Sequence, residues 1–515
     1  MEIQYFEFLK HLIRFNRTVY LDHNATTYVS SRVQRKMNQV LKDHYGNPSS
    51  FYGMGRKSAA IIEQAREQVA SAIHADPHEI FFTACATETN NAVLKSVSAH
   101  FFPRKKKIIS TPIEHPSILS TLEYLRETQG IIVEYCPVDR QGRVLLDELE
   151  KLMDEQTFLV CCMVANNETG VIQDIEAITK IAREHDVLVL TDCVQALGKI
   201  PVDVHEWGAD YASFSAHKLY GPKGIGALYV KQGSPFTPFL HGGHQESGLR
   251  AGTESIHNIA GFGAACQDVD QLLTDAKRIR ALKSQLVERL KEIKSDCVIN
   301  SPEADAECLP NTLNITFPGV GNAGLMGMLD YRGIAVSAGS ACSTGEDKPS
   351  HVLKAIGVSD QAARETLRIS LGHDTSERDI QYMTQVFQEY VDGRAPLVNM
   401  MTPAQLNETI LFDEQTYILD VRPDDDRRKV KGLPNSHEVS PLSIEKYLDQ
   451  LPRDKEILVY CPGGGLSFMI SYYLKAKGFK HVSNLRGGLD GWRKRRSDLY
   501  QKYAGQNITI LEPAK

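Results

Sequence analysis

The sequence predicts an α/β fold with a mostly parallel sheet, followed by a second and smaller α/β unit. Over roughly the first three quarters of the chain, short apolar runs typical of buried parallel strands alternate with helical stretches. Periodicity is lost between residues 391 and 403, where Gly393, Pro396 and Pro403 indicate a linker. A strand-and-helix pattern then restarts, and no internal repeat relates the two parts.

The elements of the first part follow from the spacing of apolar residues. Apolar runs predict strands at residues 80–83, 131–135, 158–164, 187–190 and 209–214. Apolar residues at helical spacing predict helices at residues 56–73, 145–153 and 175–184. Leu282, Leu286, Leu290 and Ile293 share one helical face, and we expect this helix to begin a second lobe.

The composition is ordinary for a globular protein, with 42% hydrophobic and 24% charged residues. A net charge of −6 gives no support for direct nucleic-acid binding. No apolar run approaches the ~20 residues that span a membrane, and the amphipathic residues 5–15 predict a short helix instead of a signal peptide. Ten cysteines without a C-x-x-C pair indicate neither a disulfide scaffold nor a metal site. A reducing, cytoplasmic location fits this pattern.

A lysine follows the strand at 209–214, in a stretch rich in glycine. The strand runs into Ser215, His217, Lys218 and the glycine-containing residues 221–226. Ser215 and His217 can bond a phosphate or a ring substituent, and the glycines let the backbone approach a flat ligand closely. Lys218 can there hold a phosphorylated aldehyde covalently. A basic loop that closes a strand–helix connection is the alternative interpretation.

An acid and an amide follow the apolar strand at 187–190. Asp192 lies at the end of this run and Gln195 three residues further on. In open α/β sheets, ligands bind at the carboxyl ends of the strands. A carboxylate there can pair with a protonated pyridine nitrogen, and Lys218 can bind an aldehyde. These are the two groups that pyridoxal phosphate (PLP) requires of a protein.

Further motifs occur in the order known from one family of PLP enzymes. They are YLDHNATT at 20–27, GNPSS at 46–50, ATETNN at 86–91, EH at 114–115, NNETG at 166–170, RAGT at 250–253 and GSACS at 339–343. With Asp192, Gln195 and Lys218, they make the chain resemble the cysteine desulfurases of the class-V aminotransferase family over roughly residues 18–390. The resemblance implies a fold-type I architecture, with a large lobe at about 21–270 and a small α+β lobe at about 1–20 and 271–395.

The resemblance implies a role for each residue around the cofactor ring. Lys218 binds PLP, and Asp192 pairs with the pyridine nitrogen so that the ring can accept electrons. Gln195 bonds the ring oxygen, and His115 stacks on the ring and can move protons. Asn167 lies near the substrate and the ring oxygen.

Phosphate and substrate binding are implied in the same way. Ala86 and Thr87, at a predicted helix start, offer backbone amides and a hydroxyl to the phosphate. Ser215 and His217 join them, together with Thr253 of the partner subunit. Arg368 binds the substrate carboxylate, because a guanidinium pairs with a carboxylate through two hydrogen bonds. The family usually has glycine where Cys85 precedes Ala86 here.

Cys342 lies in a polar stretch with glycine and proline, which predicts an exposed loop. The resemblance makes Cys342 the nucleophile, and its spacing from Pro349 and His351 resembles the long-loop class of desulfurases. The implied reaction converts L-cysteine to L-alanine. Lys218 removes the Cα proton, and the Cys342 thiolate attacks the substrate sulfur and becomes a persulfide.

The second part resembles a rhodanese domain over roughly residues 402–496, after a linker at about 396–401. Cys461 ends an apolar strand and precedes a glycine run and a helix, whose amides favour a thiolate or persulfide. Pro462 and Leu466 stand where the family usually has arginines, so the resemblance implies acceptance of persulfide sulfur in preference to thiosulfate. Ser467 occupies the position where a tyrosine phosphatase needs arginine. We expect residues 402–515 to form this small α/β domain.

These features together predict a PLP-dependent cysteine desulfurase that passes sulfur from Cys342 to Cys461 and then to an acceptor protein. An iron–sulfur cluster scaffold and a tRNA-thiolating enzyme are two such acceptors, and the resemblance implies a homodimer. Two alternatives stay open at this point. The first part can be a selenocysteine lyase or an aminotransferase on the same fold, and the second can be a docking module without chemistry.

Overall fold

The computed structural model describes residues 18–338, 349–394 and 398–511. The helix predicted at 5–15 and the loop with Cys342 lie outside these residues. Within the described part of the chain, no helix is both long and apolar enough to cross a membrane.

The strands are short, as expected for a sheet covered on both faces. They are β1 Val19–Tyr20, β2 Ile80–Thr83, β3 Lys107–Ser110, β4 Ile132–Tyr135, β5 Thr157–Cys161, β6 Leu188–Asp192, β7 Tyr211–Ser215, β8 Gly226–Val230, β9 Val298–Ile299, β10 Thr312–Thr316, β11 Ile334–Ala335, β12 Ser337–Ala338, β13 Thr366–Ser370, β14 Asn399–Met401, β15 Thr416–Asp420, β16 Ser436–Glu438, β17 Glu456–Tyr460, β18 Val482–Leu485 and β19 Thr509–Ile510.

The helices alternate with these strands along the chain. They are α1 Ser31–Asp43, α2 Gly53–Ala72, α3 Ala86–Phe101, α4 Pro116–Gln129, α5 Leu146–Leu152, α6 Ile175–Glu184, α7 Val204–Trp207, α8 Ile256–Cys266, α9 Val269–Ile293, α10 Asn322–Tyr331, α11 His351–Ala355, α12 Asp360–Ala363, α13 Glu377–Val391, α14 Glu408–Leu411, α15 Asp424–Lys429, α16 Gly465–Ala476, α17 Gly488–Arg495 and α18 Ser497–Tyr503.

The largest sheet has seven strands in the order β2-β8-β7-β6-β5-β3-β4. Only β8 runs antiparallel to its neighbours, so the predicted mostly parallel sheet is confirmed. Successive strand residues point to opposite faces. Ile109 therefore packs in the apolar cluster under α1, α2 and α8, whereas its neighbour Ile108 packs under α3 and α4. Helices cover both faces and leave the carboxyl ends of the strands open for a site.

The small lobe is built on a four-stranded antiparallel sheet, β12-β13-β10-β9. Its core packs against α9, α10 and α13. The helix predicted from Leu282 to Ile293 is part of α9, and Leu282, Leu286 and Leu290 are buried there. The chain start joins this lobe through β1, which pairs with β11 in parallel.

The third sheet is entirely parallel, with six strands in the order β14-β18-β17-β15-β16-β19. It differs from the predicted linker at its start, because residues 399–401 form the edge strand β14 and pair with β18. The Asn-Met-Met stretch has no strand periodicity of its own. Its structure comes from pairing with residues more than 80 positions away, which local sequence does not reveal.

Candidate active sites

Two neighbouring strands of the large sheet bring Asp192 and Lys218 together. Asp192 is the last residue of β6, and Lys218 follows the end of β7 in a short 3-10 turn. Both face a cavity of about 320 Å³ at the carboxyl edge of the sheet. The cavity is lined by Asn24, Ala25, Cys85, Ala86, Thr87, His115, Ser117, Met163, Ala165, Asn167, Asp192, Val194, Gln195, Ser215, His217, Lys218 and Arg368.

Lys218 has an amino group that is easy to deprotonate. Its Nζ donates to the backbone oxygens of Asn24 at 2.5 Å and Ala25 at 2.6 Å. Burial lowers the pKa of Lys218 to about 8, and the positive charge of Arg368 acts in the same direction. About a tenth of the amine is therefore neutral at pH 7, and this neutral form is the one that attacks an aldehyde.

Asp192 is held at the floor of the cavity and is only 7% exposed. Its Oδ2 accepts from Asn90 Nδ2 at 3.0 Å, and its Oδ1 accepts from the Val194 backbone amide at 3.0 Å. Asn90 Nδ2 also donates to the hydroxyl of Ser117. These contacts fix the carboxylate while leaving it on the cavity wall.

His115 precedes α4 and caps its start. Its Nδ1 accepts from the Ser117 backbone amide at 3.1 Å. Because an amide can only donate, Nδ1 carries no proton, and the neutral ring has its proton on Nε2. Burial is the main cause that lowers the pKa of His115, although Asp192 opposes the shift. The ring is therefore neutral near pH 7 and able to take up a proton only at Nδ1.

A further group of residues that line the cavity offers donors to an anion. Thr87 is exposed in the first turn of α3, and Ser215 lies at the end of β7. His217 Nδ1 lies 3.1 Å from Thr26 Oγ1, and burial is the first cause that lowers the His217 pKa to about 4. Cys85 has an extended backbone, with φ near −175°, that any residue adopts. Its side chain therefore does not strain the turn where the family has glycine.

Arg368 and Asn167 both line the cavity and contact each other. Arg368 Nη2 donates to Asp22 Oδ1 at 2.8 Å and Nη1 to the Asn167 backbone oxygen at 3.2 Å. The buried Nε of Arg368 has no hydrogen-bond partner among the described residues. The guanidinium is thus held in place through two of its nitrogens, while the third, Nε, makes no hydrogen bond to the described residues.

Three residues that the sequence analysis assigned to a site are not among the described residues that line this cavity. They are Thr253, Cys342 and Cys461. Thr253 is exposed and is not among the described residues that line the cavity of its own chain. Cys342 lies in residues 339–348, outside the described residues. Cys461 forms a separate site in the third sheet.

Cys461 directly follows β17 and is 2% exposed. Its Sγ accepts from the backbone amides of Gly464 at 3.1 Å and Ser467 at 3.3 Å. The Ser467 hydroxyl donates at 3.3 Å as well. These donors sit at the N-terminal end of α16, where the helix dipole favours negative charge. We name Cys461 and residues 462–467 the Cys461 loop.

Two glycines allow this loop to close around the sulfur. Gly464 has φ of +91°, and a Cβ there would lie 2.9 Å from the Gly487 amide nitrogen. A Cβ on Gly488 would lie 2.2 Å from the Cys461 oxygen. The loop is therefore packed backbone against backbone. Its donors to the sulfur include backbone amides, whereas the family usually has arginines at the positions of Pro462 and Leu466.

The floor of the same domain is a buried ionic group. Arg422 and Asp420 form a salt bridge at 2.7 Å, and both are essentially inaccessible to solvent. Tyr460 donates to Asp420 Oδ2 at 2.6 Å and leads directly into Cys461. The backbone before the cysteine is thereby fixed from below.

Known proteins resemble both parts of the chain. The Aminotransferase class-V family matches residues 19–383, and the Rhodanese-like domain family matches residues 402–495. A cysteine desulfurase IscS from Dictyoglomus turgidum is 40% identical over 377 residues, which are 73% of this chain and 95% of the relative. The chain belongs to the cysteine desulfurases of the class-V aminotransferase family.

Other relatives of this desulfurase agree. A cysteine desulfurase from Trichormus azollae is 41% identical over 375 residues, 73% of this chain and 93% of the relative. A solved NifS-like protein has a TM-score of 0.69 and 43% identity, covering 73% of this chain and all of that chain. A structure described as SspA in complex with cysteine has a TM-score of 0.60 and 35% identity, covering 69% of this chain and 99% of that chain.

The cavity of this desulfurase fits the PLP on which the family depends. A fixed carboxylate, Asp192, and an amine with lowered pKa, Lys218, both line the cavity. The hydroxyls of Thr87 and Ser215 and the start of α3 line it as well, which suits a phosphate. A volume of about 320 Å³ falls within the range of small-ligand sites.

Three further polar residues of this desulfurase were given no role by the sequence analysis. Asn24 accepts from Lys218 and Gln195 through its backbone oxygen, and from Lys199 through its side chain at 3.1 Å. Lys199 also donates to Gln195 Oε1, and burial lowers the Lys199 pKa well below its usual value. Asn24 belongs to the YLDHNATT motif, which was the available signal. Lys199 is marked only by a charge inside an apolar stretch.

Glu114 is the third. Its Oε1 accepts from Thr111 Oγ1 at 2.7 Å and from the Met163 amide at 2.9 Å. Burial raises the pKa of Glu114 to about 8, and the negative charge of Asp192 adds to the effect. Glu114 is therefore a neutral acid near pH 7, directly before His115.

Proposed function

We propose that this cysteine desulfurase transfers the sulfur of L-cysteine first to Cys342, then to Cys461, and from there to an acceptor protein. The observation that carries the proposal is the Cys461 loop, which surrounds one sulfur atom with three hydrogen-bond donors at a helix start. Because the desulfurase and a cysteine whose loop stabilises an anion are on one chain, Cys461 can serve as a second carrier of the persulfide sulfur.

The cavity residues take the following roles. Lys218 holds PLP, Asp192 pairs with the ring nitrogen, Gln195 bonds the ring oxygen and His115 stacks on the ring. When bound, PLP supplies a place for the electron pair of the Cα–H bond. Ala86, Thr87, Ser215 and His217 hold the phosphate, and Asn167 lies beside the substrate. Support comes from their shared lining of one cavity.

Proton transfer falls to the amine with the lowered pKa. Lys218 Nζ takes the Cα proton of L-cysteine in its neutral form, which its pKa of about 8 supplies. Arg368 binds the substrate carboxylate, and its place on the wall of the same cavity supports this role. Asp22 keeps the guanidinium in position through the 2.8 Å contact.

The sulfur steps balance without an external oxidant. The Cys342 thiolate attacks the substrate sulfur, so one S–S bond forms while the Cβ–S bond breaks and its electron pair stays with carbon. The proton of the substrate thiol ends on Cβ, and the proton that Lys218 removed returns to Cα, which completes L-alanine. The Cys461 thiolate then attacks the outer sulfur of the Cys342 persulfide, one S–S bond replaces another, and Cys342 leaves as a thiolate.

The partners of the enzyme are part of the proposal. An iron–sulfur cluster scaffold or a tRNA-thiolating enzyme in the cytoplasm would accept sulfur from Cys461. The chain is proposed to be a homodimer in which Thr253 of the partner subunit reaches the phosphate end. Support comes from the exposed aromatic side chains of Tyr45, Phe51 and Tyr52, since contiguous exposed apolar groups mark contact sites.

Replacing the second cysteine tests this function. Cys461→Ser should leave alanine formation from L-cysteine unchanged in the presence of a thiol reductant, because Lys218 and Cys342 are intact. It should remove the persulfide from the C-terminal domain, measured by alkylation and mass spectrometry of peptides. Because Cys461 is the only cysteine in the sequence after residue 400, the decisive comparison is with the unchanged chain: alanine formation there without any persulfide on Cys461 would disprove its role.

A further inference from the structure

Lys199 has a buried amine to which the proposed reaction gives no role. It lies four residues after Gln195 in the turns that follow β6, and its backbone amide donates to the Ala196 oxygen at 2.9 Å. It is not among the described residues that line the PLP cavity. Burial lowers the pKa of its amine well below the usual value, and the charges of Lys218 and Arg368 act in the same direction. An amine in such a place is unfavourable unless its N–H groups have partners, so its contacts indicate its role.

The Lys199 amine donates to two side-chain oxygens. One is Gln195 Oε1, and the other is Asn24 Oδ1 at 3.1 Å. Even an uncharged amine has two N–H groups, and these two contacts use both of them. Lys199 therefore acts as a donor to Gln195 and Asn24 in either charge state.

The contacts fix the amide of Gln195 at both of its ends. Gln195 is 5% exposed, and its Oε1 accepts from Lys199 while its Nε2 donates to the Asn24 backbone oxygen at 3.0 Å. An amide turned by 180° would place oxygen against oxygen at Asn24 and nitrogen against nitrogen at Lys199. The two contacts together therefore favour one orientation of the amide.

This orientation leaves one N–H group of Gln195 for a ligand. Nε2 carries two N–H groups, and among the described residues Asn24 is the only acceptor that it meets. Gln195 lines the cavity, so its second N–H group can be donated to the ring oxygen of PLP, as the proposed function requires. Lys199 thus determines which atom of Gln195 the cofactor meets.

Asn24 joins this group to the lysine that binds PLP. Its Oδ1 accepts from Asn311 Nδ2 at 3.0 Å as well as from Lys199, which holds the side chain in place. Its backbone oxygen accepts from both Gln195 Nε2 and Lys218 Nζ. The amide of Gln195 and the amine of Lys218 are therefore held against one atom.

We propose that Lys199 is a positioning residue for PLP, which orients the amide of Gln195 so that Nε2 donates to the ring oxygen of the cofactor. Lys199 acts only through Gln195. The inference rests on the proposed role of Gln195 and adds the group that orients it. A hydrogen bond donated to the ring oxygen favours its anionic form. Loss of the orientation should therefore favour the protonated form.

The absorbance of the full-length chain saturated with PLP tests the proposal, because protonation changes the colour of the bound cofactor. We expect Gln195→Met to raise the pH midpoint of the absorbance change by about one pH unit, since the donor to the ring oxygen is lost. Lys199→Met has a side chain of similar length without an N–H group, and it should raise the midpoint by about half a pH unit. A midpoint in Lys199→Met equal to that of the unchanged chain would overturn the proposal.

The double variant shows whether Lys199 acts through Gln195. Adding Lys199→Met to Gln195→Met should not change the midpoint further, because no amide remains to be oriented. An equal rise in both backgrounds would mean that the Lys199 charge acts on the cofactor directly, and it would overturn the proposal. If Gln195→Met alone leaves the midpoint unchanged, the proposed role of Gln195 fails instead, so the two failures are distinguishable. The variants keep the ionisable side chains that line the cavity, which are Cys85, His115, Asp192, His217, Lys218 and Arg368.

Lys223→Met is the matched control for the loss of a positive charge. Lys223 is exposed, yet its charge contributes to the lowered pKa of His217 in the same cavity. The control should have the midpoint of the unchanged chain, because Lys223 does not orient Gln195. A rise equal to that of Lys199→Met would show that charge alone is responsible and would overturn the proposal.

Lys199→Gln serves if methionine at this position prevents folding. It keeps a polar group in place, but its amide ends one bond short of the position of Nζ, so the contact with Gln195 is weakened. The midpoint should still rise, and the rise should again be absent when Gln195→Met is also present. An unchanged midpoint in Lys199→Gln would overturn the proposal in the same way.

Discussion

Lys218 differs from an exposed lysine in the pKa of its side-chain amine. Burial lowers its pKa to about 8, so the amine is mostly protonated below that pH and mostly neutral above it. Only the neutral amine attacks the aldehyde of PLP. Its supply therefore rises as the pH rises towards 8.

We predict that capture of PLP by the cofactor-free chain accelerates by about tenfold per pH unit below pH 8 and levels off above it. Stopped-flow absorbance between about pH 6 and pH 10 measures this rate. Lys218→Ala should show no cofactor absorbance and no alanine formation, whereas Lys180→Ala, on an exposed face of α6, should match the unchanged chain. A capture rate still rising at pH 10 would contradict the lowered pKa.

The buried Glu114 leads to a prediction about stability, which should fall as the pH rises. Its pKa is raised to about 8 in the folded chain, so between about pH 4.5 and pH 8 folding must take up a proton that the unfolded chain has lost. Stability contributed by this site is present below about pH 4.5 and is lost as the pH rises towards 8. Glu114→Gln keeps the shape and removes the titration.

The expected result is a melting temperature difference that favours Glu114→Gln by a growing margin, reaching a few degrees between about pH 5 and pH 8. Differential scanning calorimetry on both proteins provides the measurement. The exposed Glu150→Gln on α5 serves as control and should show no such trend. A difference independent of pH would mean that Glu114 is ionised when buried.

The sequence was informative about residues that carry chemistry and poor at those that support them. Strand ends place Lys218 and Asp192 at one site, the resemblance to the desulfurases adds His115 and Arg368, and all four line one cavity. Lys199 escapes such reasoning, because its meaning comes from contacts with Gln195 and Asn24, which is about 170 positions away in the chain. Whether a charged side chain is buried, and which groups it contacts, depends on the fold. The residues next to it in the sequence do not reveal either.

At the scale of elements, the Cys461 loop depends on the glycines that let backbone meet backbone. Gly464→Ala adds a Cβ 2.9 Å from the Gly487 nitrogen at a φ of +91°, a conformation that costs about 1–3 kcal/mol for a residue with a side chain. The amide of Gly464 would then move away from Sγ. We predict a several-fold slower appearance of persulfide on Cys461.

Gly463→Ala is the matched control. A Cβ on Gly463 meets no atom within 4 Å, and its φ is not positive. Persulfide formation should therefore match that of the unchanged chain, and mass spectrometry after rapid alkylation measures both variants. Equal rates in Gly464→Ala and Gly463→Ala would show that the loop geometry is unimportant.

Elements could be predicted where their pattern was local. The helix at Ile175–Glu184 matches its predicted bounds, and strands β2, β6 and β7 lie within one or two residues of theirs. The edge strand β14 was missed, because residues 399–401 acquire strand structure only by pairing with β18. A strand that forms only through pairing with distant residues shows no alternation of apolar and polar residues in its own sequence.

For the whole molecule, the exposed apolar segment around Phe51 predicts self-association. Phe51 is 94% exposed, and Tyr45 and Tyr52 flank it. Phe51→Asp should convert a dimer, with twice the 57.5 kDa of one chain, into a monomer. If Thr253 of the partner subunit contacts the phosphate as proposed, the affinity of the monomer for PLP should be several-fold lower.

Light scattering coupled to gel filtration measures the mass, and absorbance titration measures the PLP affinity. Ile510→Asp, at an exposed position of the last strand, is the control and should remain dimeric. A monomeric mass for the unchanged chain would contradict the dimer.

The arrangement of the two domains could not be predicted from the sequence. A glycine inside α10 and a phenylalanine inside α16 look unremarkable apart, and their meaning appears only when Phe468 is found against Gly327. The fold of each domain, by contrast, followed from strand–helix alternation and motif order. The local sequence pattern predicted the fold of each domain. The arrangement of the two domains depends on the complementary shapes of the surfaces in contact.

The relay is tested most directly by following the label after a single turnover of L-cysteine that carries isotope-labelled sulfur. Rapid alkylation and mass spectrometry of the two cysteine peptides give the time course. The account predicts that label appears first on Cys342 and then on Cys461 as it leaves Cys342, and that Cys342→Ser labels neither. Label that stays on Cys342 while Cys461 remains unmodified, with alanine already formed, would contradict it.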